Sequence, residues 1–549
     1  MSPFLRMALA VRRIFALFDI FLAECYDYTN RREESCLQPL CEKIFLQLMM
    51  PTDDDSLSDH ERIREALHHM GYQPVTFPLH ILSRLYPLCR ESDFQITVSL
   101  VYRETEWVIA EVEPGDRTSH HYGLAVDYGS TTVVMQLVDL HSGAILDEVK
   151  EVNRQTRFGT DILTRITYSL EDPAHIDDLQ KVTVETVDSL LEQLTERTGI
   201  DAKKCPVMVI SGNTTMIHFL LKLNTWTVFA SPFAPITTDP GWLWGREVGM
   251  DFFGMLYIIP AASNYIGGDI VSGLLKANIH KREETCMFFD IGTNGELVIG
   301  NSQWLIAGAG AAGPALEGYI SRYGMRAAPG AVDTVRIQGR VLSFTTIGGQ
   351  KPVGICGSGI IDLLAQMRLN GWVSVSGELD PTVSERICYL AEERQYAAVY
   401  ATAEESASGE PLFFTQTDIM QYLDTKAAAY TMVDCLLEAA GCTAQDLAHC
   451  YLSGAFSAHS NLESAITIGM FPDLDREKYT AISNTSLEGA RILLLDHSQL
   501  SQLHELTRNM YCIQFASIPD FLVRMQAAKF IPHTDMSRYP SVIEKLKKL

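Results

Sequence analysis

No G-x-x-x-x-G-K-[S/T] stretch occurs anywhere in the chain, so the P-loop route to a nucleoside triphosphate is closed. Clusters of lysine and arginine are missing as well. The 44 basic residues are outnumbered by 68 acidic ones, giving a net charge of −24, which argues against a partner read through its phosphate backbone; no nucleic acid is expected. Low-complexity tracts are absent. The twelve cysteines are scattered rather than spaced as a disulfide framework, as expected of a reduced, cytoplasmic protein. Long apolar runs are also lacking. Met1–Glu24 is apolar, but Arg6, Arg12, Arg13 and Asp19 keep it below the roughly 18–20 residues of a membrane span. No small-residue cleavage site follows, so an amphipathic helix or a ragged start is expected, and no membrane. The pairs His68-His69 and His120-His121 have no third ligand at a suitable spacing, which disfavours zinc.

What the chain does contain is a short pattern met twice. Leu124–Thr132 reads L-A-V-D-Y-G-S-T-T and Phe288–Glu296 reads F-F-D-I-G-T-N-G-E. Each is an apolar strand ending in aspartate, then a glycine turn carrying hydroxyls, then a second apolar run. Gly129 and Gly292 let the turn bring backbone N–H groups close to phosphate oxygens. Asp127 and Asp290 suit a hydrated Mg²⁺, which takes one or two carboxylates plus substrate phosphate. One such turn is often only a local Asx turn; two copies facing each other would grip a nucleotide triphosphate from both sides.

With 47% hydrophobic residues over 549 positions, the chain can bury sizeable cores in about two to four domains. Residues 1–41 are poorly patterned. Residues 42–118 read as a small α/β module: a strand over Lys43–Met50, a capping box at Ser58-Asp-His-Glu61, and strands over Phe94–Val101 and Glu106–Val112. Residues 119–285 and 286–535 read as two related halves, because the strand–hairpin–helix texture restarts 163 residues after Asp127, at Asp290; 536–549 is a tail. Helices are expected over Leu179–Leu194 and Thr417–Ala440, and a loop or insertion over Tyr396–Glu410. Strand–helix alternation makes the fold α/β.

Weaker signals surround the two turns. Gly308-A-G-A-A-Gly313 is a literal G-x-G-x-x-G with Asp333 twenty residues on, but it follows an antiparallel hairpin rather than the first strand of a βαβ unit. Pro314 and Glu317 suggest instead a helix start aimed at a ligand, with tight packing as the alternative. Gly354-I-C-Gly357-Ser358-Gly359 opens the apolar run Ile360–Met367, either an anion site or a simple turn. Leu452-S-G-A-F-S, with Gly454, Ala455 and Phe456, is a small-residue turn fit for a base or ribose, or a plain β–α turn. Lys426 on the preceding helix either reaches a nucleotide or faces solvent. Glu296 and Asp269 are candidates for orienting water. The spacing Cys36-x₄-Cys41 lacks the C-x₂-C continuation of a plant-type iron–sulfur loop, and Cys89 is distant, so a cluster is not expected.

Taken together, these stretches resemble the ASKHA superfamily (acetate and sugar kinases, heat-shock chaperones, actin) and, within it, the reductive activators of corrinoid enzymes. The resemblance runs over about residues 42–530. It rests on E-P-G-D before G-L-A-V-D-Y-G-S-T-T, then Asn153–Ile166 (N-R-Q-T-R-F-G-T-D-I-L-T-R-I) and Ser211–His218 (S-G-N-T-T-M-I-H). It continues through I-G-G-D, D-I-G-T-N-G-E, G-P-A-L-E-G, G-I-C-G-S-G-I-I-D, L-S-G-A-F and I-G-M-F-P.

The resemblance implies a duplicated, actin-like, RNase H-type pair of subdomains with ATP and Mg²⁺ in the cleft. Asp127, Gly129, Ser130, Thr131 and Thr132 would form the first phosphate loop, and Asp290, Gly292, Thr293, Asn294 and Glu296 the second. Gly313, Pro314 and Glu317 would flank the nucleoside with Gly454, Ala455 and Phe456. In the family, ATP hydrolysis returns a Co(II) corrinoid protein of a methyltransferase system to Co(I), and a homodimer is implied. The chain departs in two respects. The usual ferredoxin-type module is eroded and no cysteine follows Cys512, implying a separate ferredoxin-like donor. Ser483-Asn-Thr-Ser-Leu-Glu-Gly489 stands where Gly-Asn is expected. Two other readings stay open: a small-molecule kinase of the sugar or acetate type, with Asp161, Asp239 or Asp269 as base, and a non-redox ATP-dependent scaffold or chaperone-like protein.

Overall fold

The computed structural model describes residues 37–292, 294–310, 320–454 and 461–548. Its first unit is a four-stranded sheet of β1 (Cys41–Gln47), β2 (Val75–Thr76), β3 (Gln95–Arg103) and β4 (Glu106–Pro114), in the order β1-β3-β4-β2. Helices α1 (Asp59–His69) and α2 (Leu79–Glu91) cover one face through Ile63, Leu67, Ile81 and Leu85. Ser58 caps α1: its Oγ accepts from Glu61 N at 3.4 Å and donates to Glu61 Oε2 at 2.6 Å. The other face of the sheet, through Val101, Val108 and Ala110, joins the core of the next unit.

That unit is built on β5 (Tyr122–Tyr128), β6 (Thr132–Asp139), β7 (Ile145–Val152), β8 (Val207–Gly212), β9 (Gly241–Trp244) and β10 (Met255–Ile258), ordered β7-β6-β5-β8-β10-β9. Its helices are α3 (Ile162–Glu171), α4 (His175–Thr198), α5 (Thr214–Leu220), α6 (Trp226–Phe229) and α7 (Gly268–Ala277). The third unit repeats the plan with β11 (Cys286–Ile291), β12 (Gly295–Gly300) and β13 (Leu305–Gly310). A small sheet follows, of β14 (Ala331–Gln338), β15 (Val341–Thr346) and β16 (Gly354–Ile355), then α8 (Gly357–Leu369). A second small sheet comprises β17 (Ile387–Leu390), β18 (Gln395–Ala401) and β19 (Leu412–Thr415). Next come α9 (Gln416–Ala439), β20 (His449–Ser453), α10 (Leu462–Ile468), β21 (Tyr479–Ala481), α11 (Thr485–Leu495), α12 (Gln499–Arg508), β22 (Met510–Ile513), α13 (Phe521–Ala528) and α14 (Pro540–Lys548).

The main sheet of the third unit runs β21-β20-β11-β12-β13-β22. Both main sheets therefore share one plan: an antiparallel meander of three strands (β5-β6-β7, β11-β12-β13), with a parallel strand (β8, β20) added beside the first and another (β10, β21) beyond it. The fold is α/β and duplicated, as the repeated pattern implied.

Helices α7 and α11 pack between the two sheets. Ile270 and Leu274 of α7 join Phe288 and Val298 of the third unit, while its Val271 and Leu275 join Val207, Val209 and Tyr257 of the second. Leu487, Ala490, Leu493 and Leu494 of α11, with Leu500 and Leu503 of α12, bury themselves on that same face of the second unit beside Ala125 and Val138. So the chain crosses back: residues 487–503 complete the core of a sheet laid down more than 200 residues earlier.

One element differs from expectation. Tyr396–Glu410, read as a loop, contains most of β18, whose Ala397 and Ala398 are fully buried; small side chains there are packing choices rather than loop composition. Among the described residues, no helix is long and apolar enough to cross a membrane.

Candidate functional site

Asp127 is the penultimate residue of β5 and Asp290 that of β11. In register, Asp127 lies beside Ser211 of β8, and Asp290 beside Ser453 of β20 and Glu296 of β12. Both serines are buried, and each precedes a glycine, so the duplicated strands end in the same Asp–Ser pairing. Asp269 enters from the first turn of α7.

The two tips converge. Ser486 Oγ donates to Asp127 Oδ1 at 2.8 Å, while the adjacent Thr485 Oγ1 lies 2.6 Å from Ser453 Oγ, whose hydroxyl hydrogen-bonds Asp290. One turn of α11 thus touches both acids. Asn484, held at φ 36°, caps that turn with its carboxamide oxygen (Leu487 N, 3.0 Å), and its side chain also hydrogen-bonds Asp127.

All four acids are half-buried at the crevice. Burial pushes Asp127 up to about 6, opposed by the Ser486 and Asn484 bonds, and pushes Asp290 up to about 6, opposed by Ser453 and reinforced by Asp127. Burial, then Asp290 and Asp127, raise Asp269 to about 7. Glu296 is raised well above its ordinary range by burial and by Asp269 and Asp290. The influences on these carboxyls are burial, one another, and neutral hydroxyl and amide donors. Such a cluster carries more negative charge than it can stabilise alone, and a hard divalent cation relieves that. Among the described residues, no three His, Cys, Asp or Glu side chains form a ready-made cage. A cation held here would have to draw the rest of its shell from water or from oxygens of a bound ligand.

The first turn is braced from behind. Buried Asn153 donates from Nδ2 to Gly129 O at 2.9 Å and from its backbone to Thr131 O at 2.8 Å. Gln155 follows, donating to Tyr128 OH (3.1 Å) and Thr183 Oγ1 (2.7 Å), and Arg165 donates to Gln155 Oε1 at 3.3 Å. The Asn153–Ile166 motif is thus a scaffold for the turn, leaving Gly129, Ser130, Thr131 and Thr132 half-exposed at its lip. In the second turn Gly292 N donates to Asn294 O at 2.9 Å, and Asn294 is exposed. Gly454 sits at φ 83°, where a Cβ would stand 2.4 Å from Ile291 O and 2.6 Å from Asp290 Oδ1. Only glycine allows β20 to end so close to the acid.

Other expected site residues fare differently. Lys426 neither reaches a nucleotide nor faces solvent. It is fully buried and donates to the carbonyls of Ala528, Phe530 and Pro532 at 2.5, 2.7 and 2.5 Å, so its ammonium pins the C-terminal segment. Gly357 and Ser358 begin α8, with the Ser358 hydroxyl 3.2 Å from Cys356 Sγ within its own turn. Gly308 and Gly310 of the G-x-G-x-x-G stretch belong to β13 and abut Phe515 and Met432, so they serve packing. Thr293, Gly313, Pro314, Glu317, Ala455 and Phe456 lie outside the described residues. The sequence reading missed Asn153 as the brace of the first turn, and Ser211, Ser453, Thr485 and Ser486 as the hydroxyls around the acids. The repeated Ser-Gly ending of β8 and β20 was the available signal.

Comparison with known proteins matches the chain to three consecutive family descriptions: the RACo linker region over residues 30–119, the RACo middle region over 122–282, and the C-terminal ASKHA domain of RACo over 284–543. It is 29% identical over 423 residues to the corrinoid activation enzyme RamQ of Eubacterium limosum, covering 76% of this chain and 71% of that one. It is 24% identical over 429 residues to a [Co(II) methylated amine-specific corrinoid protein] reductase of Methanosarcina barkeri, covering 71% and 73%. Among solved structures, a reductive activator for a corrinoid, iron–sulfur protein superposes with a TM-score of 0.82 at 35% identity, covering 92% of this chain and 81% of that one. On that identity and coverage, this chain belongs to the family of reductive activators of corrinoid proteins.

Proposed function

We propose that this chain binds Mg²⁺-ATP between its two lobes and uses that cycle to return a Co(II) corrinoid protein of a methyltransferase system to Co(I). The observation that carries the reading is the meeting of Asp127 and Asp290 at one turn of α11, in a chain of this family. Asp127 and Asp290 would hold the ion, which supplies charge neutralisation at the phosphates. The turns at Gly129–Thr132 and Gly292–Asn294 offer backbone N–H groups and hydroxyls to the phosphate oxygens. Glu296 and Asp269, both raised by burial and by the neighbouring acids, are the two carboxyls placed to orient water.

Closure of the lobes biases a docked partner only through differential affinity for its two states, so nucleotide binding is read as the step that favours the reducible form. The electron is assigned to a separate ferredoxin-like donor. Cys41 and Cys89 support this: both are fully buried core side chains in different clusters, with thiols pushed up by burial rather than poised as ligands. A homodimer is the assembly that the resemblance implies.

The test is ATP turnover with and without a Co(II) corrinoid protein, the Co(I) spectrum followed in parallel and iron measured on the purified chain. Stimulated turnover together with Co(I) formation on adding a ferredoxin is expected. Absence of both stimulation and co-purification overturns the reading.

A further inference from the structure

One cation of the second unit is buried without an ionic partner. Arg165, on the first turn of α3, has no exposed surface. It donates from Nε to Gly159 O at 2.9 Å and from Nη1 to Gln155 Oε1 at 3.3 Å, and Nη1 lies 3.8 Å from Met216 Sδ. Its Nη2, also buried, has no hydrogen-bond partner among the described residues. None of these contacts is to a carboxylate. Asp161 acts on the guanidinium from a distance, but both of its oxygens are taken by Thr164, at 2.9 Å from N and 2.7 Å from Oγ1.

Burial opposes this charge, yet an arginine in a protein stays protonated. A neutral amide could donate to the same acceptors without the penalty of burying an ion. What arginine adds at this place is charge. The charge stands behind the first turn. Gln155, which accepts from it, donates from Nε2 to Tyr128 OH at 3.1 Å and from its backbone to Asn153 Oδ1 at 3.0 Å. Asn153 in turn donates to Gly129 O at 2.9 Å. Two side chains therefore separate the guanidinium from the turn at Gly129–Thr132. Asn153, Gln155 and Tyr128 are all buried, so solvent screens that path little.

We propose that Arg165 is a positioning residue for phosphate: its unpaired charge, fixed behind the first turn, makes that turn favour ligands in the order of their negative charge. The turn's own N–H groups and hydroxyls make the contacts, and Arg165 touches no ligand. The inference rests on the reading of the cleft as a nucleotide site and deepens it, because it assigns the preference for triphosphate over shorter phosphates to one residue.

The test is binding of ATP, ADP and AMP, each with Mg²⁺, to the full chain by isothermal titration calorimetry. Wild type is compared with Arg165→Gln, which keeps an amide donor and removes the charge, and Arg165→Lys, which keeps the charge and loses the fork. Arg165→Gln is expected to weaken ATP by about tenfold, ADP by about threefold and AMP by less than about twofold. Arg165→Lys is expected to recover most of the ATP loss. Equal losses for the three ligands, or a lysine variant no better than the glutamine one, overturn the assignment and leave Arg165 a purely structural residue. Where circular dichroism shows Arg165→Gln unfolded, Gln155→Glu takes its place by setting a carboxylate against the guanidinium. The same ordering is expected, and an unordered loss overturns the assignment. A wild-type chain that binds none of the three overturns the nucleotide reading and this inference with it, whereas unordered losses overturn the inference alone.

Discussion

Asp127, Asp269, Asp290 and Glu296 crowd one crevice, and their raised values make the empty protein's stability depend on pH. Folded-state values near 6 to 7 lie above the ordinary 3.8 of an aspartate, so between about pH 4 and 7 the native state holds protons that the unfolded chain has released. Stability from this cluster is therefore present at low pH and lost as pH rises through that window. The nucleotide-free protein is expected to melt at a higher temperature at pH 6 than at pH 8. Glu296→Gln should narrow the difference, and millimolar Mg²⁺-ATP should reverse it, all read by calorimetry. Asp127→Asn and Asp290→Asn should each weaken Mg²⁺-ATP binding by at least about tenfold while raising the melting temperature of the empty protein, because a charge that burial opposes has been removed. Unchanged affinity in both variants would separate the acids from the nucleotide.

These acids were legible in the sequence because each hairpin is local: strand, aspartate, glycine and second strand lie within about ten residues. Their hydroxyl partners were not. Ser486 reaches Asp127 across 359 positions and Ser211 across 275, a separation no periodicity records. Lys426 misled for a related reason. Helix α9 buries residues on several faces, among them Ile419, Tyr422, Leu423, Lys426, Ala427 and Tyr430, so nothing in its spacing marks the lysine as interior.

At the scale of elements, the contact between α7 and α11 has almost no slack. A Cβ on Gly489 would stand 2.3 Å from Ser272 O and 2.6 Å from its Cα. Gly489→Ala is expected to push the helices apart, costing about 1–3 kcal/mol in chemical denaturation and weakening nucleotide binding along with it. Lys426→Met tests a different joint. It leaves three carbonyls of the C-terminal segment without their donor, at a cost of about 3–5 kcal/mol, and none of those bonds involves the acids. Where the variant is folded, its Mg²⁺-ATP affinity should stay within about twofold of wild type, in contrast to Gly489→Ala; a tenfold loss would return Lys426 to the binding site. The strand and helix cores of both halves were readable from apolar runs. Strand β18 was not, because Ala397 and Ala398 look like loop residues until neighbours close over them.

For the whole molecule, the return of residues 487–503 to the second unit means that neither half is a contiguous piece of sequence. A fragment of residues 37–282 leaves Ala125, Val138, Val207 and Val209 without the leucines of α11 and α12. It is expected to bind a hydrophobic dye and aggregate, and co-expression with residues 483–508 should restore a monodisperse species by gel filtration. Solubility of the bare fragment would show that the crossing is dispensable for folding. The sequence showed where the pattern restarts, but a restart marks where a repeat begins, not which core its last helices join.

The carbonyl cage around Lys426 also bears on how the chain is made. Its three acceptors come 102, 104 and 106 residues after the lysine, so on the ribosome α9 emerges with a buried-to-be cation whose counterparts have not been synthesised. The third unit cannot seal around Lys426 until residues 528–532 have been made, and a product ending before residue 528 leaves that side chain in its interior without acceptors. Closure of this domain is thereby coupled to the arrival of one stretch of backbone, 102 to 106 residues downstream of the helix it fastens.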